Sequence, residues 1–255
     1  MPALFSLADR VAVVTGGSRG LGLAIARGLG DAGARIVIAA RRAEWLDPAS
    51  AELAAAGIEV RAHACDLTDA EQVGRLIGET VSAFGRVDIL VNNAGVSWAA
   101  SIEEMPVERW RQVLETNVGG AFLATRAALP VMKARGYGKI INIASVMGMV
   151  GMPPEILDAP GYSASKGALI ALTRDLAVKC ARFGVRVNAI APGFFRTRLT
   201  DGVLARSSEA IAKATPLGRV GEPGDLIGTA VFLAAPASDF ITGQVLAVDG
   251  GYTAV

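Results

Sequence analysis

Tyr162 and Lys166 stand four positions apart in Tyr162-Ser163-Ala164-Ser165-Lys166, at the head of a segment with helical periodicity. On a helix their side chains share one face and can converge. A tyrosine with an ordinary pKa of about 10 is a poor general base at neutral pH, but a fixed positive charge beside it favours the phenolate. Lys166 supplies such a charge. The same spacing also occurs on ordinary exposed helices, so the pair needs context. Ser145, following the apolar Ile143-Ala144, adds a hydroxyl able to hydrogen-bond a substrate oxygen beside the phenol. Asn117, in Glu115-Thr116-Asn117-Val118, adds a fourth polar group. The chemistry open to such a set is proton transfer to and from an oxygen.

A second motif suggests the electron partner. Thr15-Gly16-Gly17-Ser18-Arg19-Gly20-Leu21-Gly22 lies between a short apolar run and a helical pattern bearing Leu23, Ile25, Ala26 and Leu29. A turn without Cβ atoms lets backbone N–H groups and the positive helix end approach a pyrophosphate. Taken alone, it could equally be an ordinary glycine-rich turn. The next strand ends in Ile38-Ala39-Ala40-Arg41-Arg42, with no carboxylate before Glu44. An acidic residue there would bind a ribose 2′-hydroxyl, whereas arginine accommodates a 2′-phosphate. Arg41, Arg42 and Arg19 therefore favour NADP(H), with NAD(H) left open. The other reading makes Arg41 and Arg42 the solvated start of a helix. An oxidised nicotinamide ring is cationic and would add to the effect of Lys166 on Tyr162.

These groups need a scaffold. Val/Ile-rich runs fall near Val11 to Thr15, Arg35 to Ala40, Ile58 to Ala64, Val87 to Asn92, Lys139 to Ala144, Val185 to Ile190 and Gln244 to Val248, separated by longer helical segments. They lack polar alternation, as buried parallel strands do. With right-handed crossovers they predict an α/β fold: a doubly wound, Rossmann-type, seven-stranded parallel sheet with helices on both faces, built as one domain over residues 1–255. Thr68 and Glu71 form a capping-box pattern ahead of the periodic Val73 to Phe84 segment. Gly/Pro-dense stretches at Gly148 to Gly161, Pro192 to Gly202 and Pro216 to Gly224 look like active-site loops. No repeat or low-complexity tract is visible.

Composition narrows the partners. With 25 basic and 24 acidic residues the chain carries no charge footprint for nucleic acid or an anionic membrane. Mean hydropathy is +0.42, yet no 18-residue stretch is free of charges and turn signals, so no membrane span is expected. Met1 to Arg10 lacks a leader pattern, which favours the cytoplasm. Cys65 and Cys180 have no metal or disulfide spacing, and His63 is the only histidine, so no metal site is expected.

The glycine spacing Gly16-x-x-x-Gly20-x-Gly22 departs from G-x-G-x-x-G and resembles the T-G-x-x-x-G-x-G of the short-chain dehydrogenase/reductase family. Asn92-Asn93-Ala94-Gly95 is similar to that family's N-N-A-G, and Pro192-Gly193-Phe194-Phe195-Arg196-Thr197 to its P-G-x-x-x-T. Asn117, Ser145, Tyr162 and Lys166 stand in its order, and the resemblance runs from Thr15 to Val248-Asp249-Gly250-Gly251.

The resemblance implies that Tyr162 protonates a carbonyl oxygen that Ser145 positions. Lys166 binds the nicotinamide ribose and lowers the tyrosine pKa, and Asn117 holds a relay water. Gly16, Ser18, Arg19, Gly20, Leu21 and Gly22 would cradle phosphates. Asp66 and Leu67 would meet the adenine, although Asp66 could equally satisfy local amides. Asn93, Ala94 and Gly95 would line the cleft, with Pro192, Gly193 and Thr197 near the carboxamide.

Ser145 and Tyr162 are separated by a loop about four residues longer than is usual in the family. The segment Pro153 to Tyr162 resembles a gluconate 5-dehydrogenase-like branch. Residues 146–161 and 193–216 would then form the substrate loops, with Trp98, Met147, Glu155 and Phe194 as walls, and Met149, Met152, Ile156, Leu157 and Asp158 nearby. Arg196 or Arg198 could receive a sugar-acid carboxylate or simply be solvated. The expected substrate is a small carbonyl or alcohol such as a keto sugar acid or polyol. The competing substrate is a 3-oxoacyl thioester on an acidic carrier protein, with Lys133, Arg135 and Lys139 as a basic patch. A carbonyl reductase contrasts with a third possibility, a non-catalytic NADP(H)-binding protein. The resemblance also implies a homotetramer, with helices over Pro106 to Arg135 and Ser163 to Phe183 at one interface and the C-terminal segment at another.

Overall fold

Seven β-branched runs become strands: β1 (Val11–Thr15), β2 (Arg35–Ala40), β3 (Val60–Ala64), β4 (Ile89–Asn92), β5 (Gly138–Ile143), β6 (Val185–Pro192) and β7 (Val245–Val248). In the computed structural model, which describes residues 3–255, they pair as one parallel sheet in the order β3-β2-β1-β4-β5-β6-β7. Met1 and Pro2 of the stretch read for a leader lie outside the described residues. The helices are α1 (Gly20–Asp31), α2 (Ala43–Ala55), α3 (Ala70–Phe84), α4 (Val107–Leu114), α5 (Gly120–Arg135), α6 (Pro160–Cys180), α7 (Asp201–Ala214) and α8 (Ile227–Ala234). Among the described residues no helix is long and apolar enough to cross a membrane, and no His/Cys/Asp/Glu group could hold a metal.

Alternate strand residues serve two cores. Ala12, Val14, Ile36 and Ile38 pack with Ile25 and Leu29 of α1 and Leu53 of α2. Val11, Val13 and Val37 face the opposite side, with Leu76 of α3, Ala124 of α5 and Ala177 of α6. The central strands β1, β4 and β5 are buried throughout, as expected of strands covered on both faces. β3 is different: Arg61, Ala62 and Ala64 are exposed, because it is the sheet edge. His63 there bonds Glu79 at 2.9 Å, a surface pair rather than a triad member.

Three expectations are corrected. The cap of α3 is Asp69, whose carboxylate accepts from the amides of Glu71 and Gln72 at 2.9 and 3.1 Å, while the Thr68 hydroxyl turns back to Asp66. Asx geometry at the residue directly before the helix displaces the Thr68 box. The helix expected over Pro106 to Arg135 is interrupted by a π-helical turn at Glu115–Gly119. Lys139 is no surface cation. It is 1 % exposed, held by Ser238 at 2.9 Å and Asp239 at 2.8 Å.

Asp88, fully buried ahead of β4, accepts from the Val11 amide at 2.9 Å and from the Arg86 guanidinium at 2.6 Å. It fastens β1 to β4 at the end of the sheet away from the turn. Removing it strands a buried amide and a half-buried cation, and losing one partner of such a set costs about 3 kcal/mol. Asp88→Ala is expected to lower the unfolding free energy by about that much, read from the urea midpoint at unchanged slope.

Candidate active site

The carboxyl ends of β1 and β4 diverge at the point where strand order reverses, which opens a crevice. Thr15, the last residue of β1, is buried. Its hydroxyl donates to Val91 O at 3.1 Å and accepts from the amides of Asn93 and Ala94 at 3.0 and 3.2 Å. The Asn93 side-chain amide donates to the carbonyls of Thr15 and Gly16 at 3.0 and 3.1 Å. The two motifs are therefore one structure.

Gly16 has φ +64°, and a Cβ there would lie 2.9 Å from the Ala94 Cα. A Cβ on Gly22 would run into the Gly16 carbonyl and Asn93. No side chain caps the start of α1 at Arg19, so the first N–H groups of that helix are left without a side-chain acceptor. A close-packed turn with free helix-end donors fits a pyrophosphate. Ser18 is buried in it, and the Thr197 methyl approaches Gly20.

Beside this turn the Arg19 and Arg42 guanidinium carbons lie 3.7 and 4.4 Å from the Trp45 ring centroid, and that of Arg198 lies at 5.7 Å. Burial holds the Arg19 pKa below its ordinary value, and the charges of Arg198 and Arg42 act in the same direction. Arg41 is exposed and stands outside this group. Trp45 and the part played by Arg198 escaped the sequence reading. The arginine-to-tryptophan step of three residues from Arg42, one helical turn, was the available signal.

Asp66 spends one carboxylate oxygen on the Thr68 amide and hydroxyl at 3.0 and 2.9 Å, the local role left open above. Leu67 is buried where Gly120 approaches it. In the sheet centre Asn92 donates to Asn142 at 2.8 Å, and Asn142 to Thr173 at 2.8 Å. This polar relay anchors α6, the helix that carries Tyr162.

The four expected residues come together. Asn117, in the π-helical turn, accepts from the Val96 amide at 2.8 Å and donates to Val96 O and Ser165 Oγ at 2.9 Å each. Both of its donors' bonds go to protein groups, so the turn locks the segment after Gly95 to α6. A Cβ on Gly95 would meet Asn117 Oδ1 at 3.3 Å and Lys166 Nζ at 3.7 Å. Lys166 is buried, its Nζ donating to Ile143 O at 2.7 Å and lying 5.5 Å from the Tyr162 ring centroid. Ser145 is buried at the end of β5 and accepts from the Met147 amide at 3.2 Å.

The expected lowering of the tyrosine pKa by Lys166 is not found in the chain alone. Burial pushes Tyr162 up to about 12, with the Ser145 hydrogen bond acting the other way. Burial also pulls Lys166 down to about 8. Desolvation is the leading cause of both shifts.

The candidate walls divide. Trp98 is exposed with Arg109 stacked 4.2 Å over its ring, and Glu155 is exposed. Met147 is buried. Phe194 is buried in a cluster with Val203, Leu204 and Ile211 of α7, edge-on to Tyr252 at 5.8 Å. Met152, Ile156 and Leu157 pack against that cluster, so the long loop leans on α7. Arg196 pairs with Glu222 at 2.9 Å. Pro192 and Gly193 end β6, with Gly193 against Asp249.

A dinucleotide-type sheet whose crevice gathers Asn, Ser, Tyr and Lys defines a dehydrogenase or reductase scaffold. The family model described as enoyl-(acyl carrier protein) reductase matches residues 16–253. Gluconate 5-dehydrogenase of Gluconobacter oxydans is 41% identical over 254 residues, 99% of this chain and 98% of that protein. Galactitol 2-dehydrogenase (L-tagatose-forming) of Cereibacter sphaeroides is 44% identical over 252 residues, 98% and 97% of the two chains. A crystal structure of a gluconate 5-dehydrogenase from Burkholderia cenocepacia, in complex with NADP and tartrate, superposes with TM-score 0.94 at 39% identity, covering 99% of this chain and 98% of that one. The chain belongs to the short-chain dehydrogenase/reductase family, enzymes that act on CH–OH and C=O groups.

Because the Lys166 pKa falls from 10.5 to about 8 on folding, keeping that amine charged below pH 8 costs stability, and the cost vanishes above 10.5. The unfolding free energy of cofactor-free wild type relative to Lys166→Met is therefore expected to rise as pH increases from 8 to 10.5, measured by urea unfolding across that window.

Proposed function

We propose that this chain is a single-domain NADP(H)-dependent oxidoreductase spanning residues 1–255, moving a hydride between the nicotinamide and a small carbonyl or alcohol. A keto sugar acid or polyol is the favoured substrate. The observation that carries the cofactor choice is the pair of guanidinium groups, Arg19 and Arg42, stacked on Trp45 where a carboxylate would serve NAD(H). The relatives named for gluconate and galactitol support the substrate class.

When bound, the cofactor supplies or accepts the hydride. The chain does the rest. The uncapped start of α1, with Gly16, Ser18, Gly20, Leu21 and Gly22, holds the pyrophosphate. Asn93, Ala94, Gly95, Pro192, Gly193 and Thr197 bound the remaining length of the cofactor. Tyr162 is protonated at neutral pH, the state from which a phenol gives its proton to a carbonyl oxygen. Ser145 donates a hydrogen bond to that oxygen. Lys166 offers its remaining N–H groups to the nicotinamide ribose, and its charge, together with the cationic oxidised ring, brings the Tyr162 pKa down from its buried value in the ternary complex. Asn117 ties the Val96 segment to α6, with its relay water as the finer part of this reading. Residues 146–161 and 193–216 close over the substrate.

Reduction of a 3-oxoacyl thioester is the second reading, and the family model's description favours it. It is weakened by the burial of Lys139, which leaves Lys133 and Arg135 alone as a docking patch for an acidic carrier. The convergence of four reactive groups weighs against a non-catalytic binding protein. Exposed Phe122 on α5, Val178 on α6 and Phe240 near the C-terminal strand support a homotetramer built on those surfaces. Two buried, unpaired thiols suit the cytoplasm.

The test is a panel of keto sugar acids, ketoses, polyols and acetoacetyl thioester with NADPH, NADH and their oxidised forms. NADPH-linked turnover of a sugar-derived substrate is expected. Tyr162→Phe should cut kcat by about 10²–10⁴-fold at unchanged NADP+ affinity, and wild-type kcat in that variant would overturn the mechanism. Light scattering should give a tetramer, and a monomer would overturn the assembly.

A further inference from the structure

Three segments far apart in sequence deliver arginines to one indole. Arg19 comes from the glycine turn, Arg42 from the residue directly before α2 and Arg198 from the segment between β6 and α7. Arg42 pairs loosely with Glu44 at 3.5 Å between exposed side chains, and among the described residues Arg19 and Arg198 have no ion-pair partner. The group thus holds three positive charges against one negative. An excess of two matches a phosphate monoester, which carries about −1.5 to −2 at neutral pH, and nothing on an unphosphorylated ribose would relieve it.

Arg198 differs from the other two in what it is attached to. The turn from Thr197 to Thr200 is closed by the Thr200 hydroxyl, which accepts from the Thr197 amide at 3.1 Å and donates to Thr197 O at 2.9 Å. That turn sits against Gly20 through the Thr197 methyl group and runs directly into α7. Val203, Leu204 and Ile211 of α7 share a cluster with Phe194, and Met152, Ile156 and Leu157 of the long loop rest on it. A pull on Arg198 is therefore a pull on both loops assigned to the substrate.

We propose that Arg198 is a third arm of the 2′-phosphate receptor and that, through α7, it makes closure of the two substrate loops depend on that phosphate. This rests on the NADP(H) reading above. Arg198 acts as a positioning and specificity residue and takes no part in proton or hydride transfer. Discrimination between the cofactors then has a dynamic component: NAD(H) would fill the crevice and leave the loops less ordered.

Calorimetric titration of wild type, Arg198→Ala and Arg19→Ala with NADP+, NAD+ and 2′,5′-ADP tests the contact. Amide hydrogen exchange over 196–214 at saturating NADP+ and NAD+ tests the coupling. Arg198→Ala is expected to weaken NADP+ and 2′,5′-ADP by about tenfold or more, the scale of one charge-assisted contact, with NAD+ affinity essentially unchanged. The extra protection that NADP+ gives over NAD+ in wild type should disappear in that variant. If Arg198→Ala affects NADP+ and NAD+ alike, or neither, while Arg19→Ala selectively weakens NADP+, the third arm is overturned and the cofactor reading stands. Equal protection by both cofactors in wild type overturns the coupling. If wild type shows no preference for NADP+ and Arg19→Ala creates no discrimination, the cofactor reading fails and the proposal with it.

Discussion

The Thr15 hydroxyl donates to Val91 O and accepts from the Asn93 and Ala94 amides, and so ties the ends of β1 and β4 together just where they must part to form a crevice. Asn93, fixed by that tie, holds the carbonyl side of the glycine turn, which leaves the amide side facing outward. Two residues further on, Gly95 lies against Asn117 and Lys166. Asn117 then spans Val96 and Ser165, reaching the helix that carries Tyr162. Thr15, Asn117 and Ser165 are buried, so their bonds are shielded from competing water and a lost partner would leave a polar group unsatisfied. The glycine turn and the Tyr162–Lys166 pair are set by two hydrogen-bonded groups joined through the chain from Ala94 to Val96.

Desolvation sets the electrostatics of that pair. Water is excluded from both the phenol and the amine, and exclusion favours the neutral form of each, so Tyr162 moves up and Lys166 down. Their pKa values cross and separate, the phenol now lying above the amine, so that both groups are neutral between about 8 and about 12. A cation entering beside them would act in a medium where charge is weakly screened, and its effect on a phenol would be larger than in water. The phenol holds its proton at neutral pH in the chain alone. Lys166 gives one of its N–H groups to Ile143 O and lies 5.5 Å from the phenol ring centroid.

Much of this was legible in the sequence because periodicity and glycine spacing report backbone constraints directly. The central strands and the turn after β1 emerge from apolar runs and glycine spacing, whereas the Asn, Ser, Tyr, Lys order was legible through resemblance to the family. What escaped was set by tertiary context. β3 reads as apolar but is an edge, since pairing partners are not encoded in a five-residue run. Lys139 reads as a surface cation, whereas a partner 100 positions away, Asp239, allows it inside. The Asp69 cap prevailed over Thr68 by one position, a distinction that depends on backbone dihedrals. Arg41 and Arg42 were indistinguishable as residue types, and only the direction of the chain entering α2 puts Arg42 on Trp45.

A near-zero net charge gives no overall footprint for nucleic acid or an anionic surface, but says nothing about local excess. The arginines around Trp45 depart sharply from the neutral average, and their mutual repulsion is tolerated because each guanidinium is at least partly hydrated and two of them gain the indole face. Repulsion of this kind is unfavourable until an anion arrives, and its relief then adds to the direct hydrogen bonds. A receptor assembled from one segment could bind a phosphate equally well. Assembly from the glycine turn, the start of α2 and the β6–α7 segment means that an anion bound there would be shared by three parts of the crevice, so recognition at the adenosine end would become an energetic condition on the geometry at the other end.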